Sequence, residues 1–390
     1  MPRYFLLQVL PDFSKGVINT HNNITTNWQQ IVQVFPFMEE GFQLLDWLPW
    51  NHTFGGNHNL GLTLYNGGSL YIDGGNPTPE GIDITIKNLQ EIAPTIYFNV
   101  PRGFEDLIPR LKADKKLRTH FFSKLKLLFY AGAGMAQHVW DELEKLAFQT
   151  IGKRILIATG LGCTEASPSA MFNTHFGSFA GMLGVPVPGL ELKLVEVAGK
   201  LEARYKGGNI MPGYWRNEEA TEAAFDEEGY YKTGDALTFV DPEDPNAGMI
   251  FDGRIAEDFK LNSGTWVSVG SLRTNFIKAA NGLIQDLVIT GHDRAYLGAI
   301  VFPDPNVEKT DLKEELGKVL EEFAKKSKGS STLIKKILVA PFTLSAENNE
   351  VTDKGSINQR AVLTNRAEYV EMIYTDNKNE LIIELTHSFK

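Results

Sequence analysis

The chain has 390 residues, 43% of them hydrophobic and 22% charged. This is a globular mixture, and at roughly 150 residues per domain the length implies two or three domains with cores that need no staples. The formal charge of −10, from 38 basic and 48 acidic residues, argues against a general binder of nucleic acid or anionic membranes. A single cysteine, Cys163, excludes an intrachain disulfide framework and a Cys-cluster metal site. It fits a reducing compartment, and a cytoplasmic location is expected. No run of about 18 uninterrupted apolar residues exists, so no spanning helix is expected. Residues 4–10 are apolar but follow one Arg and lack a small-residue cleavage site, which makes a poor signal peptide.

Residues 26–35 read as a helix, with Trp28, Ile31, Val32 and Phe35 on one face and Pro36 as its stop. Residues 69–73 read as a short strand ending at a Gly-Gly turn. A helix over 82–92 and a buried strand over 95–100 follow. The apolar run 125–130 ends in the small-residue turn Ala131-Gly132-Ala133-Gly134. A helix over 137–150 then leads to a strand over 154–159. Short apolar strands alternating with helices imply α/β layers. After about residue 170 the texture changes: 190–196 and 200–205 read as antiparallel strands, with Gly and Pro punctuating the region up to Gly248. A third region, with its boundary placed at 253–260, holds strands over 266–269, 286–290 and 297–302. It also holds an amphipathic helix carrying Leu312, Leu316, Val319, Leu320 and Phe323.

Five segments have the residue types for chemistry. Thr159-Gly160-Leu161-Gly162-Cys163-Thr164-Glu165 follows a strand. Its glycines permit close backbone approach, and its adjacent hydroxyl and carboxylate suit a phosphate with its Mg²⁺; a Gly-rich turn with a helix cap is the plain alternative. In Thr233-Gly234-Asp235 an acid follows a tight turn and suits two ribose hydroxyls, against a solvated hairpin Asp. Gly253-Arg254 places a guanidinium after a turn, for sugar or phosphate or simply for solvent. Residues 48–58 are aromatic and Gly-rich, with His52 and His58; they suit the wall of an apolar pocket, although a satisfied core histidine is the commoner outcome for either. Thr352-Asp353-Lys354-Gly355-Ser356 sets a lysine in a Gly turn, where it can meet a phosphate or stay an ordinary surface lysine.

The order of these segments resembles the adenylate-forming (AMP-binding) superfamily of acyl-CoA synthetases, most closely its feruloyl-CoA synthetase-like branch, from about Lys15 to Arg366. Gly132-Ala133-Gly134 is similar to the family's adenine-contacting turn. Gly162-Cys163-Thr164-Glu165 resembles its Gly-x-Thr-Glu motif, which implies Thr164 on phosphate and Glu165 on Mg²⁺. Thr233-Gly234-Asp235 resembles the ribose motif, with Asp235 on the hydroxyls. Gly253-Arg254 resembles the hinge motif, with Arg254 near the ribose. Residues 48–59 resemble the acyl-pocket motif, with His52 at the family's histidine.

The resemblance implies a partial large α/β domain with a small β subdomain (residues 1–253), followed by a small mobile α+β domain (254–390). It implies ATP, Mg²⁺, coenzyme A and an aryl or acyl carboxylic acid as ligands. A flat apolar slot for an acid such as ferulate would be walled by Trp47, Trp50, Phe54 and Tyr97. The implied reaction joins acid to ATP as an acyl adenylate, releases pyrophosphate, and passes the acyl group to a thiol. Adenylation followed by reduction is not expected, because no carrier or reductase domain follows. The open alternatives are a non-catalytic nucleotide- or acyl-binding remnant, and a ligase half completed by another chain.

Three departures from the family pattern stand out. Ser356 occupies the place of the adenylation lysine, and Lys354 is nominated as its substitute. Ala256 occupies the hinge position, with Glu257 or Asp258 as replacements. Lys15 and Gly16 match the exit of a phosphate loop, yet residues 5–13 contain no glycine or hydroxyl and cannot cradle phosphate. Activity is therefore expected to be impaired. The family's first two hundred or so residues are also missing. Back-translation of residues 1–13, displaced by two nucleotides, permits AKIFLTSGSTGL, a loop of the family type. A frame error, misplaced start or frameshift just upstream of Lys15 is expected, and the nucleotide sequence tests it.

Overall fold

The computed structural model describes residues 3–7, 15–78, 80–197, 199–304, 307, 311–351, 357–375 and 379–386. The chain divides into two compact units, 1–233 with 237–251, and 234–236 with 252–390.

A nine-stranded sheet organises the first unit. Its order is Glu191–Val197, Lys200–Lys206, Tyr231–Phe239, Met249–Arg254, Met182–Pro186, Ser169–Phe172, Leu156–Gly162, Leu127–Tyr130 and Ile96–Asn99. The last three strands run parallel. Their sequences are nearly unbroken apolar runs because both faces are covered. Alternate side chains enter opposite cores: Phe98 and Phe129 join one cluster with Phe54 and Phe172, while Tyr97, Leu128 and Tyr130 join the other with Phe104, Phe121 and Trp140. A separate parallel pair, Gln43–Asp46 and Ser69–Ile72, lies next to Ile96–Asn99, and Thr95 N–H donates to Gln43 O at 2.9 Å.

The helix foreseen over 26–35 begins earlier, at His21, and ends at Val34. Thr20 caps it through a reciprocal box with Asn23, which offsets the weak helix formers of its first turn. Two further helices, Pro101–Ala113 and Lys115–Phe122, fill the stretch between the strands. Pro101 sits in the first turn, where its missing N–H costs nothing, and Asp114 caps the second helix by accepting from Lys116 and Leu117 N–H.

The second unit is α+β. Its four-stranded sheet has the order Ile284–Thr290, Leu297–Pro303, Ile334–Val339, Ile382–Glu384. Helices Val269–Ala280 and Leu312–Lys325 cover one face, where Leu287, Ile289, Ala299 and Val301 are buried. Helices Gln359–Asn365 and Ala367–Tyr374 cover the other, against Val288, Ile300 and Leu338. The fold is α/β with a large sheet and a small C-terminal domain.

Candidate functional site

Parallel pairing fixes where two of the sequence motifs emerge. Tyr130 pairs with Thr159 at the ends of adjacent parallel strands, and Thr159 Oγ1 donates to Tyr130 O at 2.8 Å. The Gly132–Gly134 turn therefore leaves the same carboxyl edge as the segment leading to Glu165. In open α/β sheets that edge is where ligands bind. Gly132, Ala133 and Gly134 are exposed, Gly132 has φ of 91°, and a Cβ on Gly134 would meet nothing within 4 Å.

Beyond Gly162 the chain doubles back as a hairpin onto Ser169–Phe172. A Cβ on Gly162 would lie 2.1 Å from Pro168 O, so this glycine is required by the hairpin's own return strand. The tip is a 3₁₀ turn, Thr164–Ala166, and each of its carbonyls accepts a bond from outside the turn, one from the strand Lys15–Asn19 and two from the loop at 209–211. Thr164 O accepts from Asn19 Nδ2 at 3.1 Å, Glu165 O from Met211 N–H at 2.8 Å, and Ala166 O from Asn209 Nδ2 at 3.1 Å. Asn27 brackets Ser169, donating to its carbonyl at 2.7 Å and accepting from its N–H at 3.1 Å. Glu165 is buried, and its Oε1 accepts from Tyr214 O–H at 2.9 Å. Burial, reinforced by the Glu165 carboxylate, pushes the Tyr214 hydroxyl well above the usual phenol range. Burial likewise raises Tyr231 beside it. The Lys15 ammonium stands 5.0 Å from the Tyr214 ring centroid, a cation–π contact.

Residues 3–7 form a strand antiparallel to Lys15–Asn19, with Leu7 opposite Lys15. The connection 8–14, where a phosphate cradle would fall, lies outside the described residues.

The segment resembling an acyl-pocket motif folds as a π-helix, Phe54–Leu60, a form concentrated at functional sites. Its glycines are forced: a Cβ on Gly55 would reach Pro49 O at 2.4 Å, and one on Gly56 would reach Trp50 O at 2.4 Å. His52 is half-buried, and its Nδ1 accepts from Phe54 N–H at 3.0 Å, which leaves the proton of the neutral ring on Nε2. His58 is a core histidine, stacked on Phe129 with centroids 5.6 Å apart and edge-on to Phe54 and Phe98. Burial lowers it to about 4.

One expected wall residue is misplaced. Tyr97 faces the opposite side of the sheet from Phe54, packed edge-on against Phe104 and Phe121. Strand alternation puts Phe98 on the Phe54 side instead. Trp47 donates from Nε1 to Asn99 Oδ1 at 3.2 Å, and Trp50 is exposed.

In the second unit, Asp235 is buried, with its Oδ1 3.1 Å from Arg254 Nε. The two residues named for the ribose thus face each other. Ala256 lies in the 3₁₀ turn Ile255–Glu257, and Asp258 Oδ1 accepts from Val269 N–H at 2.9 Å. Lys354 and Ser356 lie outside the described residues. A hollow of about 370 Å³ in this unit is lined by Lys325, Lys335, Ser327, Ser330 and Tyr296, among others.

Sequence reasoning missed Tyr214, Asn19, Asn57 and Asn209. One signal was available: Asn23, Asn27 and Gln30 fall at helical spacing on a buried face and mark a stripe of amides that must find partners.

The architecture and this carboxyl-edge site define an α/β adenylate-forming fold. The AMP-binding enzyme family matches residues 13–215, and the AMP-binding enzyme C-terminal domain matches 271–378. The chain belongs to the AMP-binding enzyme family. It is 26% identical over 401 residues to a carboxylic acid reductase of Mycobacterium marinum, covering 93% of this chain and 32% of the relative. It is 29% identical over 222 residues to an anthranilate–CoA ligase of Pseudomonas aeruginosa, covering 55% of this chain and 38% of the relative. The chain thus spans about a third of the length of these relatives. Among solved structures it superposes on the anthranilate–CoA ligase AuaEII in complex with anthranoyl-AMP, with a TM-score of 0.75 and 21% identity over 93% of this chain and 67% of that one.

The family implies ATP with Mg²⁺. Among the described residues no group of three or more His, Cys, Asp or Glu side chains converges. Mg²⁺ needs only one or two carboxylates when phosphates supply the remaining oxygens, so buried Glu165 beside the Thr164 hydroxyl fits. No helix among the described residues is long and apolar enough to cross a membrane.

Proposed function

We propose that the chain carries out ATP-dependent activation of a carboxylic acid, with transfer of the acyl group to the thiol of coenzyme A. In the first step an acid oxygen attacks the α-phosphorus of ATP, and the bond to pyrophosphate breaks; in the second the thiol attacks the acyl carbon, and AMP leaves. When bound, Mg²⁺ supplies charge neutralisation on the phosphates. Glu165, oriented by Tyr214, would hold that ion. Thr164 donates its hydroxyl to a phosphate oxygen, and Lys15 contributes positive charge beside Tyr214. The Gly132–Gly134 turn lies open for a flat base, with Asp235 and Arg254 taking the ribose. Lys354 serves as the adenylation lysine, and His52 orients the acid's carboxylate. The half-buried Trp47, next to the aromatic segment 48–58, favours an aryl acid, and the feruloyl type is the specific reading. The basic hollow of the C-terminal unit suits the phosphates of coenzyme A.

The observation carrying this reading is the shared carboxyl edge, from which both an open glycine turn and the segment bearing the buried, Tyr214-bonded Glu165 carboxylate emerge. The test is acid-dependent exchange of pyrophosphate into ATP, with ferulate, benzoate, anthranilate and a long-chain fatty acid. An aryl acid should give the fastest exchange, and Glu165→Gln should lower it about a hundredfold. No exchange with any acid would overturn the reading. A second reading, a binding protein without catalysis, draws on the lack of glycine and hydroxyl across residues 5–13. It requires nucleotide binding with no exchange.

A further inference from the structure

We propose that Asn57 and Asn19 form a positioning relay that ties the acid-side π-helix to the Glu165 turn. The site roles invoked rest on the function proposed above. Asn57 Nδ2 donates to Asn19 Oδ1 at 2.9 Å, and Asn19 Nδ2 donates to Thr164 O at 3.1 Å. That carbonyl belongs to the peptide plane joining Thr164 to Glu165. Rotating this plane turns the Glu165 side chain, so the relay acts on the carboxylate without touching it.

Both amides are buried, Asn19 at 0% and Asn57 at 2% exposure. Asn57 Oδ1 has no hydrogen-bond partner among the described residues. A buried amide oxygen left unsatisfied is costly, which marks the Nδ2 donation as the use of this side chain. The far end is anchored as well. Trp28 Nε1 donates to Asn57 O at 2.6 Å, and the close approach of Gly55 and Gly56 to the backbone of residues 48–50 leaves the helix no room to slide. Met211 and Asn209 fix the other carbonyls of the turn. Of the bonds to these three carbonyls, the one from Asn19 leads on to the acid-side segment. The two bonds therefore tie the fixed position of the π-helix to the orientation of Glu165, the residue that would hold the metal.

Amide hydrogen exchange on the full chain, read at 164–167 without ligand, tests the relay directly. Asn57→Ser should speed exchange there about tenfold, the effect of losing one buried hydrogen bond, although Asn57 does not touch the turn. The helix Gln137–Ile151 should be unchanged. The Asn19→Ala/Asn57→Ser double variant should be no faster than Asn19→Ala alone. In the pyrophosphate exchange assay, Asn57→Ser should lower kcat about tenfold with the KM for the acid nearly unchanged. A general loss of structure would instead change both helix and turn. If Asn57→Ser fails to fold, the near-isosteric Asn57→Asp, which removes the donor, takes its place. Wild-type exchange at 164–167 in the Asn57 variant, or additive effects in the double variant, would overturn the relay. Absence of pyrophosphate exchange in the wild type would instead sink the ligase reading, while amide exchange still decides the relay.

Discussion

Two buried groups in the first unit should drive its stability in opposite directions with pH. Asn59 joins them: its Oδ1 lies 2.8 Å from His58 Nδ1, and its Nδ2 donates to Asp46 Oδ1 at 3.0 Å. Burial lowers His58 from 6.5 to about 4. Burial also raises Asp46 from 3.8 to about 7; the hydrogen bonds from Asn59 and Leu48 N–H oppose that rise, and the charge of Asp73 adds to it. The unfolded chain binds the extra proton on His58 between pH 4 and 6.5, so this group makes stability rise with pH. The folded chain binds the extra proton on Asp46 between pH 3.8 and 7, so that group makes stability fall with pH.

At about 1.4 kcal/mol per pH unit of separation, His58 contributes roughly 3 kcal/mol and Asp46 roughly 4 kcal/mol. In the wild type the two slopes nearly cancel from about pH 4 to 6.5. His58→Phe should expose the Asp46 slope, with stability falling by roughly 4 kcal/mol as pH rises from 4 to 7. Asp46→Asn should expose the His58 slope, with stability rising by roughly 3 kcal/mol from pH 4 to 6.5. Amide exchange across residues 43–62 at a series of pH values reads both, because it reports on this unit rather than on the whole chain. Parallel profiles for the two variants, or slopes of the same sign, would refute the reasoning.

The two glycine motifs should respond differently to alanine. Gly162→Ala should cost about 1–3 kcal/mol in thermal unfolding, because the clash is with backbone that cannot move aside. Gly134→Ala should leave stability within about 0.5 kcal/mol, so a fall in its nucleotide affinity would report a ligand contact directly. In the second unit, Glu350 is fully buried and bridged twice by Arg366, at 2.7 and 2.9 Å. This guanidinium holds the Glu350 carboxyl below its usual range against the opposing effect of burial. Arg366→Ala leaves a buried carboxylate unpaired and should cost about 3–5 kcal/mol in urea unfolding of that unit. An unchanged midpoint would show that the pair is dispensable.

The parallel strands were legible because burial on both faces writes itself as uninterrupted apolar runs. The helix Leu312–Lys325 was legible because one face is dry. The helices Pro101–Ala113 and Lys115–Phe122 were not, since Pro109 and the lysine-rich 112–116 stretch mask the period. The helix Val269–Ala280 was lost for a related reason: Trp266 and Val267 read as a strand, which they are, and Val269 already begins the helix. At the site, the motifs at 132–134 and 162–165 were visible as residue types following strands. The direction in which Tyr97 points was not, because assigning a face needs the strand's register against its neighbours. The supporting amides escaped for a deeper reason. Asn19, Asn57 and Asn209 act through contacts 38 to 145 residues apart, and no local pattern encodes such distances.

Those long separations bear on how the protein is made. Lys15–Asn19 pairs with Tyr214 through Ile18 N–H to Gly213 O and Trp215 N–H to Gly16 O. One edge of this strand pairs with residues 3–7, and the other waits for a segment synthesised some two hundred residues later. At about 5–20 residues per second, a ribosome takes roughly ten to forty seconds to deliver it. During that time the Asn23 amide on the helix His21–Val34 lacks its acceptors, the carbonyls of Gly208 and Ile210. Such a topology folds late and slowly, and the nascent chain should depend on holding chaperones until residue 215 has cleared the exit tunnel.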